Sequence, residues 1–366
     1  EQKLTGNPGF YWEDLIELVA LGTVADMVPL RDENREIVRK GLAKMPHSPL
    51  CGLQALLQVT VAPGSTVNSG TIGFGLGPRI TAAGRLDDAM TAVHLLTAQD
   101  PEKARELAAE LNSANQERQA LSQKIFEEAE HQMASLGSPE WGIVLGEEGW
   151  HPGVIGIVAA RLMERFGRPV IVISMHEGEG RGSGRAPDPF DLHSALAGCA
   201  QYLTRFGGHA AAAGVEIEED NLPAFRQAIN AWAADHAAQP EAVSLQLDAA
   251  VTLGELSLDN VQELGRLAPF GRENPTPVLL VQHAFVDGIW PMGSEGRHTR
   301  LRLRQGSDTL FASTFGVAPQ AFAYPVGSEV EAALEVSIFN GRSGPMVSAH
   351  LKAIRPVGLG NTPSEQ

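Results

Sequence analysis

The chain has almost no cysteine: Cys51 and Cys199 are the two in 366 residues. Neither stands in a metal-ligand spacing, so the pair argues against a disulfide framework and fits a reducing cytoplasmic setting. Also missing is any apolar run near the roughly 20 residues that a membrane-spanning helix needs. No signal-peptide pattern stands at the start, and there is no internal repeat or long low-complexity tract. Basic residues are in the minority, with 28 Lys and Arg against 44 Asp and Glu and a net charge of -16. That balance disfavours indiscriminate binding to a polyanion, so the positions of the arginines matter more than their number.

What is present fits two or three domains, with 43% hydrophobic residues to build their cores. Residues 12 to 46 read as helix, turn, helix, with Asp32 as an N-cap-like residue of the second helix. Gly70 to Arg85 is rich in glycine and reads as a flexible, small-residue segment. From Pro101 a long helical pattern runs to about Gly137, with Ala104, Leu107, Ala108, Leu111, Leu121, Ile125, Ala129 and Met133 on one face. Such a helix is on the order of 50 Å long and is expected to connect two domains. Trp141–Leu145 and Pro169–Ser174 read as strands separated by a helix, an α/β pattern with parallel pairing. A linker spans Ala237 to Ala242. Beyond it come short strands at 245–253, 278–288, 299–304, 309–315, 330–339 and 346–354, with a helix at 258–267, which suggests a small β-barrel or sandwich. The chain opens with Glu1 and not methionine, close to an apolar helical pattern, and is expected to be a piece of a longer protein.

Two glycine-rich segments carry the chemistry. Gly180-Arg-Gly-Ser-Gly-Arg185 offers a hydroxyl, guanidinium forks and, in a hook, free backbone N–H groups; the alternative is a solvated turn. Arg205-Phe-Gly-Gly-His-Ala-Ala-Ala-Ala-Gly214 places His209 among residues with small side chains, Gly207 and Gly208 included, where a bulky group could approach the main chain. Together they look like a cradle for a phosphate. The run Gly77–Arg85 holds Arg79 and Arg85 and no acid, and it either faces a polyanion or packs on the long helix. Asp26 lies in an apolar segment, where a buried acid is costly unless it is paired or bound to a metal. His151 precedes a helix N-terminus and stands either near an anion or as part of a local staple. His298, Arg300, Arg302 and Arg304 recur with period 2, which puts four basic residues on one sheet face. That face is either a track for a sugar-phosphate backbone or a solvated surface. Trp290 and Phe315 read first as core residues and second as platforms for bases.

Taken together, these segments resemble the RecJ family of single-stranded-DNA exonucleases within the DHH phosphoesterase superfamily. The resemblance rests on Leu18–Arg35 (LVALGTVADMVPLRDENR), Phe74–Leu86 (FGLGPRITAAGRL), Gly149–Leu162 (GWHPGVIGIVAARL), Gly182–Arg185 (GSGR), Arg205–Gly214 (RFGGHAAAAG) and Leu267–Pro277 (LAPFGRENPTP). It implies an α/β plus all-β chain: the end of a DHH domain (1–86), a connector helix region (87–137), a DHH-associated substrate-binding domain (138–238) and an OB-fold (243–356). It implies metal-dependent 5′-to-3′ hydrolysis of single-stranded DNA in repair and recombination, with Mn²⁺ or Mg²⁺ in a two-ion site. By the same resemblance Asp26 is a metal ligand, Ser183, Arg185 and His209 bind substrate, Arg85 contacts phosphate near the 5′ end, and Asp26 and His209 are the expected catalytic residues, His209 stabilising charge that develops on the phosphate. A single-strand-binding protein and a helicase are the partners it suggests.

Thr81, Ala186 and Glu273 depart from the family pattern. A larger departure is that Asp-x-Asp-Gly and Asp-His-His are absent, since no two histidines are adjacent. Asp26 alone cannot clamp two ions that want about six donors each, so the site would be mostly outside this chain. The expectation is a chain that binds DNA but is catalytically incomplete. The alternatives are a non-catalytic DNA-binding subunit, or an oligonucleotide or cyclic-dinucleotide phosphodiesterase of the same superfamily.

Overall fold

A computed structural model describes residues 12–62, 65–86, 88–137, 141–236, 244–293, 296–341 and 344–357; the expected linker at 237–242 lies outside them. The chain divides into two compact units, one of residues 1–48, 61–73 and 244–366, the other of residues 49–60 and 74–243.

In the first unit, helices α1 (Ile16–Ala25) and α2 (Asp32–Lys44) enclose a small core of Ala20, Leu30 and Val38. Gly41 permits their close approach, since a Cβ there would stand 2.3 Å from that of Ala20. Asp32 is not the N-cap. Arg31 holds that place without a side-chain cap bond, and Asp32 opens the helix at φ +44°.

The second unit begins with α3 (Cys51–Gln58), α4 (Gly77–Leu86) and α5 (Met90–Thr97), which pack on α6 (Pro101–Ser135). The glycine-rich segment expected to be flexible is therefore helical, entered through a π-helical turn at Ile72–Leu76. Its small residues serve close packing: Ala82 and Ala83 are buried. The long helix begins as its sequence suggests, with Pro101 in the first turn and the Asp100 carboxylate accepting the Glu102 N–H. Its second half carries Ile125, Phe126, Ala129 and Met133 into the core of an α/β sheet.

That sheet has the order β1-β2-β3-β5-β4, from β1 (Ile143–Glu148), β2 (Val170–His176), β3 (Glu179–Arg185), β4 (Arg205–Gly208) and β5 (Ala212–Glu218). Only β1 and β2 are parallel, joined through α7 (Ile155–Phe166). β2 is apolar on both sides because both faces are covered. Val170 and Val172 meet α6 and α7 on one face. Ile171 and Ile173 meet α8 (Leu192–Gly198) and α9 (Leu222–His236) on the other. The α7 face is not covered everywhere, since Gly207 and Gly214 on β4 and β5 remain exposed there.

The remaining strands, in the first unit, close a barrel. β7 (Val278–Met292), β8 (His298–Gln305), β9 (Asp308–Thr314), β11 (Gly344–Pro356) and β10 (Glu329–Gly341) pair in that order, and β10 pairs back onto β7. A short β6 (Ala249–Val251) adds to β7 in parallel. The strand expected over 245–253 thus shrinks to three residues, and the helix expected over 258–267 is α10 (Leu258–Leu264) followed by a 3₁₀ turn. Leu301, Leu303, Val281 and Val330 fill the centre.

The turn after α10 is tied to the N-terminal helices. The Leu30 N–H donates to the Arg272 carbonyl at 2.8 Å, and Ser69 Oγ donates to the Phe270 carbonyl at 2.5 Å. Glu273 keeps a left-handed backbone, φ +61°, and its carboxylate meets Arg31 Nε at 3.0 Å. Because a left-handed residue with a side chain costs on the order of 1–2 kcal/mol and an exposed ion pair returns about 0–1 kcal/mol, Glu273→Gly should leave stability unchanged or raise it by up to about 1 kcal/mol. Glu273→Val, β-branched at the same φ, should lose about 1–2 kcal/mol in denaturant unfolding; the reverse order would contradict this account of the turn.

Candidate anion site and nucleic-acid interface

The Gly180–Arg185 segment is β3 itself, hydrogen-bonded to β2 on one side and β5 on the other. The expected hook with free backbone N–H groups is therefore corrected: strand pairing consumes those groups. The alternation has another use. Gly180, Gly182 and Gly184 lie over the α8–α9 core, where a Cβ at Gly182 would stand 2.5 Å from Val215 and one at Gly184 2.7 Å from Leu192. The opposite face then presents Arg181, Ser183 and Arg185.

Ser183 and Arg185 meet the first turn of α7. A Cβ on Gly156 would stand 3.0 Å from Ser183 Oγ and 3.3 Å from Arg185 Nη2. Arg185 Nη1 donates to Ser183 Oγ at 3.0 Å and to the Gly184 carbonyl at 2.7 Å. Just before α7, Gly153 lets the chain touch α4: a Cβ there would stand 2.1 Å from the Arg85 carbonyl oxygen. Arg85 Nη1 donates back to the Gly153 carbonyl at 3.3 Å.

A third arginine joins them, one that the sequence reading did not single out. Arg118 on α6 donates through Nε and Nη2 to the Oδ1 of buried Asn115 at 3.2 and 3.0 Å. Burial pushes the Arg185 guanidinium below its usual pKa, and the charge of Arg85 acts in the same direction. The same two causes act on Arg118. Both remain cationic, because arginine does not deprotonate in proteins. Among the described residues no carboxylate forms an ion pair with Arg85, Arg118 or Arg185. Arg185 thus stands with Ser183 at the first turn of α7, Arg85 reaches the Gly153 carbonyl just before that turn, and the charge of Arg85 is felt by both Arg185 and Arg118. The first-turn N–H groups of Ile155 and Gly156 lack intrahelical partners. The arrangement suits a phosphate-sized anion.

The second glycine-rich segment is the β4–β5 hairpin. Gly207 pairs with Gly214 and Gly214 with Ser183, so a bare strip of backbone continues outward from the serine. Gly208 needs glycine, with φ +144° and a would-be Cβ 2.5 Å from the Ala212 carbonyl. His209 is exposed at the tip; its N–H donates to the Ala212 carbonyl at 2.8 Å, and Ala212 pairs with Arg185.

Other expected residues stand apart. Arg79 donates to Asn112 Oδ1 at 3.0 Å and to the carbonyls of Gly75 and Val59 at 3.0 and 3.3 Å, stitching helices together. His151 Nδ1 accepts the Gly153 N–H at 3.1 Å, the local staple. Asp26 is not the buried acid expected: it is exposed at the end of α1, so no burial cost calls for an ion pair or a metal there. Among the described residues no three His, Cys, Asp or Glu side chains group as metal ligands would.

On the barrel, β8 alternates as expected, with Thr299, Leu301 and Leu303 buried beneath His298, Arg300, Arg302 and Arg304. Aromatic rings interleave with these cations. The guanidinium carbons of Arg300, Arg302 and Arg304 lie 4.3, 5.7 and 5.4 Å from the ring centres of Phe311, Trp290 and Phe285. Trp290 and Phe315 are 41% and 59% exposed, which corrects the core reading of both. Phe315 packs edge-on against His298 and His350.

Residues 140–235 match the DHHA1 domain family and residues 247–353 the RecJ OB domain family, together more than half of the chain. The chain is 34% identical over 340 residues to the single-stranded-DNA-specific exonuclease RecJ of Bacillus subtilis (strain 168), covering 92% of this chain and 43% of that protein. Crystal structures of RecJ from Thermus thermophilus, in complex with Mg²⁺ and with Mn²⁺, superpose with TM-scores of 0.79 and 0.80 at 31% and 30% identity. They cover 97% of this chain, which covers 54% and 51% of theirs. The chain thus spans about half the length of these relatives.

Two substitutions test the anion site. Gly156→Ala should hold or raise helix stability, by up to about 1 kcal/mol, yet crowd Ser183 and Arg185 and weaken binding of a 5′-phosphorylated oligonucleotide about tenfold. Arg118→Gln should weaken it by about 10- to 100-fold, the loss of a charge-assisted contact. Titration by fluorescence anisotropy reads both, and unchanged affinities would remove α7 and α6 from the site.

Proposed function

We propose that this chain, which belongs to the RecJ family of single-stranded-DNA-specific exonucleases, binds the substrate of such an enzyme through two separate surfaces. Arg85, Arg118, Arg185 and Ser183 take the anionic end of the strand at the head of α7. The barrel face of His298, Arg300, Arg302 and Arg304 takes the strand's backbone, with Trp290 and Phe311 offering rings on which bases stack. The observation that carries the reading is the convergence of three guanidinium groups without an acid among the described residues to neutralise them.

The chemistry of that site is orientation and charge. Each charge-assisted hydrogen bond contributes roughly 1.5–3 kcal/mol, and fixed donors aimed at a phosphate stabilise charge that grows on it during phosphodiester cleavage. Ser183 adds a hydroxyl donor. His209, at the tip beside Ala212, stands in the row of Arg185 and borders the bare strip of Gly207 and Gly214, where a sugar or base can lie against backbone.

The reaction we assign to the whole protein is 5′-to-3′ hydrolysis of single-stranded DNA in cytoplasmic repair and recombination, alongside a single-strand-binding protein and a helicase. It calls for Mg²⁺ or Mn²⁺, and the residues of this chain do not fit a two-ion centre. Asp26 is an exposed carboxylate outside any donor group among the described residues, and the sequence has neither Asp-x-Asp-Gly nor Asp-His-His. The same donor set favours the second reading, a chain that binds DNA without cutting it.

Incubated with Mn²⁺ and end-labelled single-stranded DNA, the purified chain should bind the strand and leave its length unchanged on a denaturing gel. Its affinity should fall with salt along a straight log–log line, as phosphate contacts dictate. Processive digestion from the 5′ end would overturn the incomplete-site argument, and binding insensitive to salt would overturn the backbone track.

A further inference from the structure

The basic face of the barrel carries an acid in its midst. Asp287 sits at a bulge in β7, where the register against β8 slips between Val286 and Gly288. Its two oxygens go to two different arginines: Oδ2 lies 2.6 Å from Arg302 Nε, and Oδ1 lies 3.3 Å from Arg304 Nε. Arg302 Nε is buried and makes no aligned hydrogen bond, so charge alone holds that pair. Arg300, two residues away, has no carboxylate partner among the described residues and lies against the Phe311 ring instead. The same bulge seats the aromatic platform, because the Trp290 indole lies across Gly288, where a Cβ would stand 2.1 Å from the ring.

A carboxylate and a phosphodiester both carry one negative charge and offer oxygens to the same guanidinium donors. An acid already holding two arginines therefore competes with the strand for them, and it repels any phosphate that takes its place.

We propose that Asp287 is a resident phosphate substitute, a specificity-determining acid that holds Arg302 and Arg304 in the free protein and loosens the barrel's grip on single-stranded DNA. The proposal rests on the barrel face being the strand's track. Of its three arginines, only Arg300 then binds at full strength, while Arg302 and Arg304 are exchanged between Asp287 and passing phosphates. A strand so held can advance without breaking three full-strength contacts at once.

The test uses the full chain, a labelled oligothymidylate and a salt titration. Asp287→Asn keeps the side chain's size and removes its charge. It should bind about fivefold more tightly near 0.1 M salt, and the slope of log K against log salt should steepen by about 0.7, equivalent to one more phosphate contact. Arg302→Ala should cost little in the natural chain and several-fold more in the Asp287→Asn background, whereas Arg300→Ala should cost the same in both. Unchanged or weaker binding by Asp287→Asn, with its thermal melting intact, would overturn the proposal. Should that variant fold poorly, the natural background still decides: Arg302→Ala costing as much as Arg300→Ala would equally overturn it. Failure of the natural chain to bind oligothymidylate at all would instead remove the track itself.

Discussion

Like charges repel, and the second unit spends much of its architecture on holding three of them together. Arg85 comes from α4, Arg118 from the middle of α6 and Arg185 from the end of β3. Each is fixed by a neighbour that carries no charge: the Gly153 carbonyl for Arg85, the Asn115 amide oxygen for Arg118, and Ser183 with the Gly184 carbonyl for Arg185. A carboxylate in any of those places would relieve the repulsion and cancel the field. Neutral anchors orient the guanidinium groups and leave their charge for a ligand.

The glycines follow from the same constraint. Gly153 and Gly156 let α7 approach α4 and β3 closely enough to bring its first turn to the arginines, and a methyl group at either would meet Arg85, Ser183 or Arg185. Gly182 and Gly184 let the strand lie flat over a packed core, so that Ser183 and Arg185 project from a rigid surface. Gly207 is different. No atom lies near its would-be Cβ, and its φ is not in the left-handed range, so the space above it is open to a ligand.

Much of this was legible in the sequence, for physical reasons that differ by element. The long helix declared itself through a sustained helical period and a capped, proline-led start, and β8 through strict alternation. The fold of both regions and their order along the chain followed. The glycine-rich runs misled, because glycine has no single meaning: at Gly77–Leu86 small residues served helix packing, and at Gly180–Arg185 they served a strand over a core. Arg118 was hidden because a polar residue in a polar helical stretch carries no signal until the fold brings Arg85 beside it. Asp287 was hidden likewise, since only pairing across β7 and β8 shows what it faces. The exposure of Trp290 and Phe315 went against composition, which places large aromatic residues inside.

The central claim concerns position, so a structure tests it most directly. A crystal of the chain soaked with a 5′-phosphorylated dinucleotide should show the terminal phosphate bounded by Arg85, Arg118, Arg185 and Ser183 at the first turn of α7. A phosphate found elsewhere, with those three guanidinium groups turned to solvent or paired to carboxylates, would contradict the account.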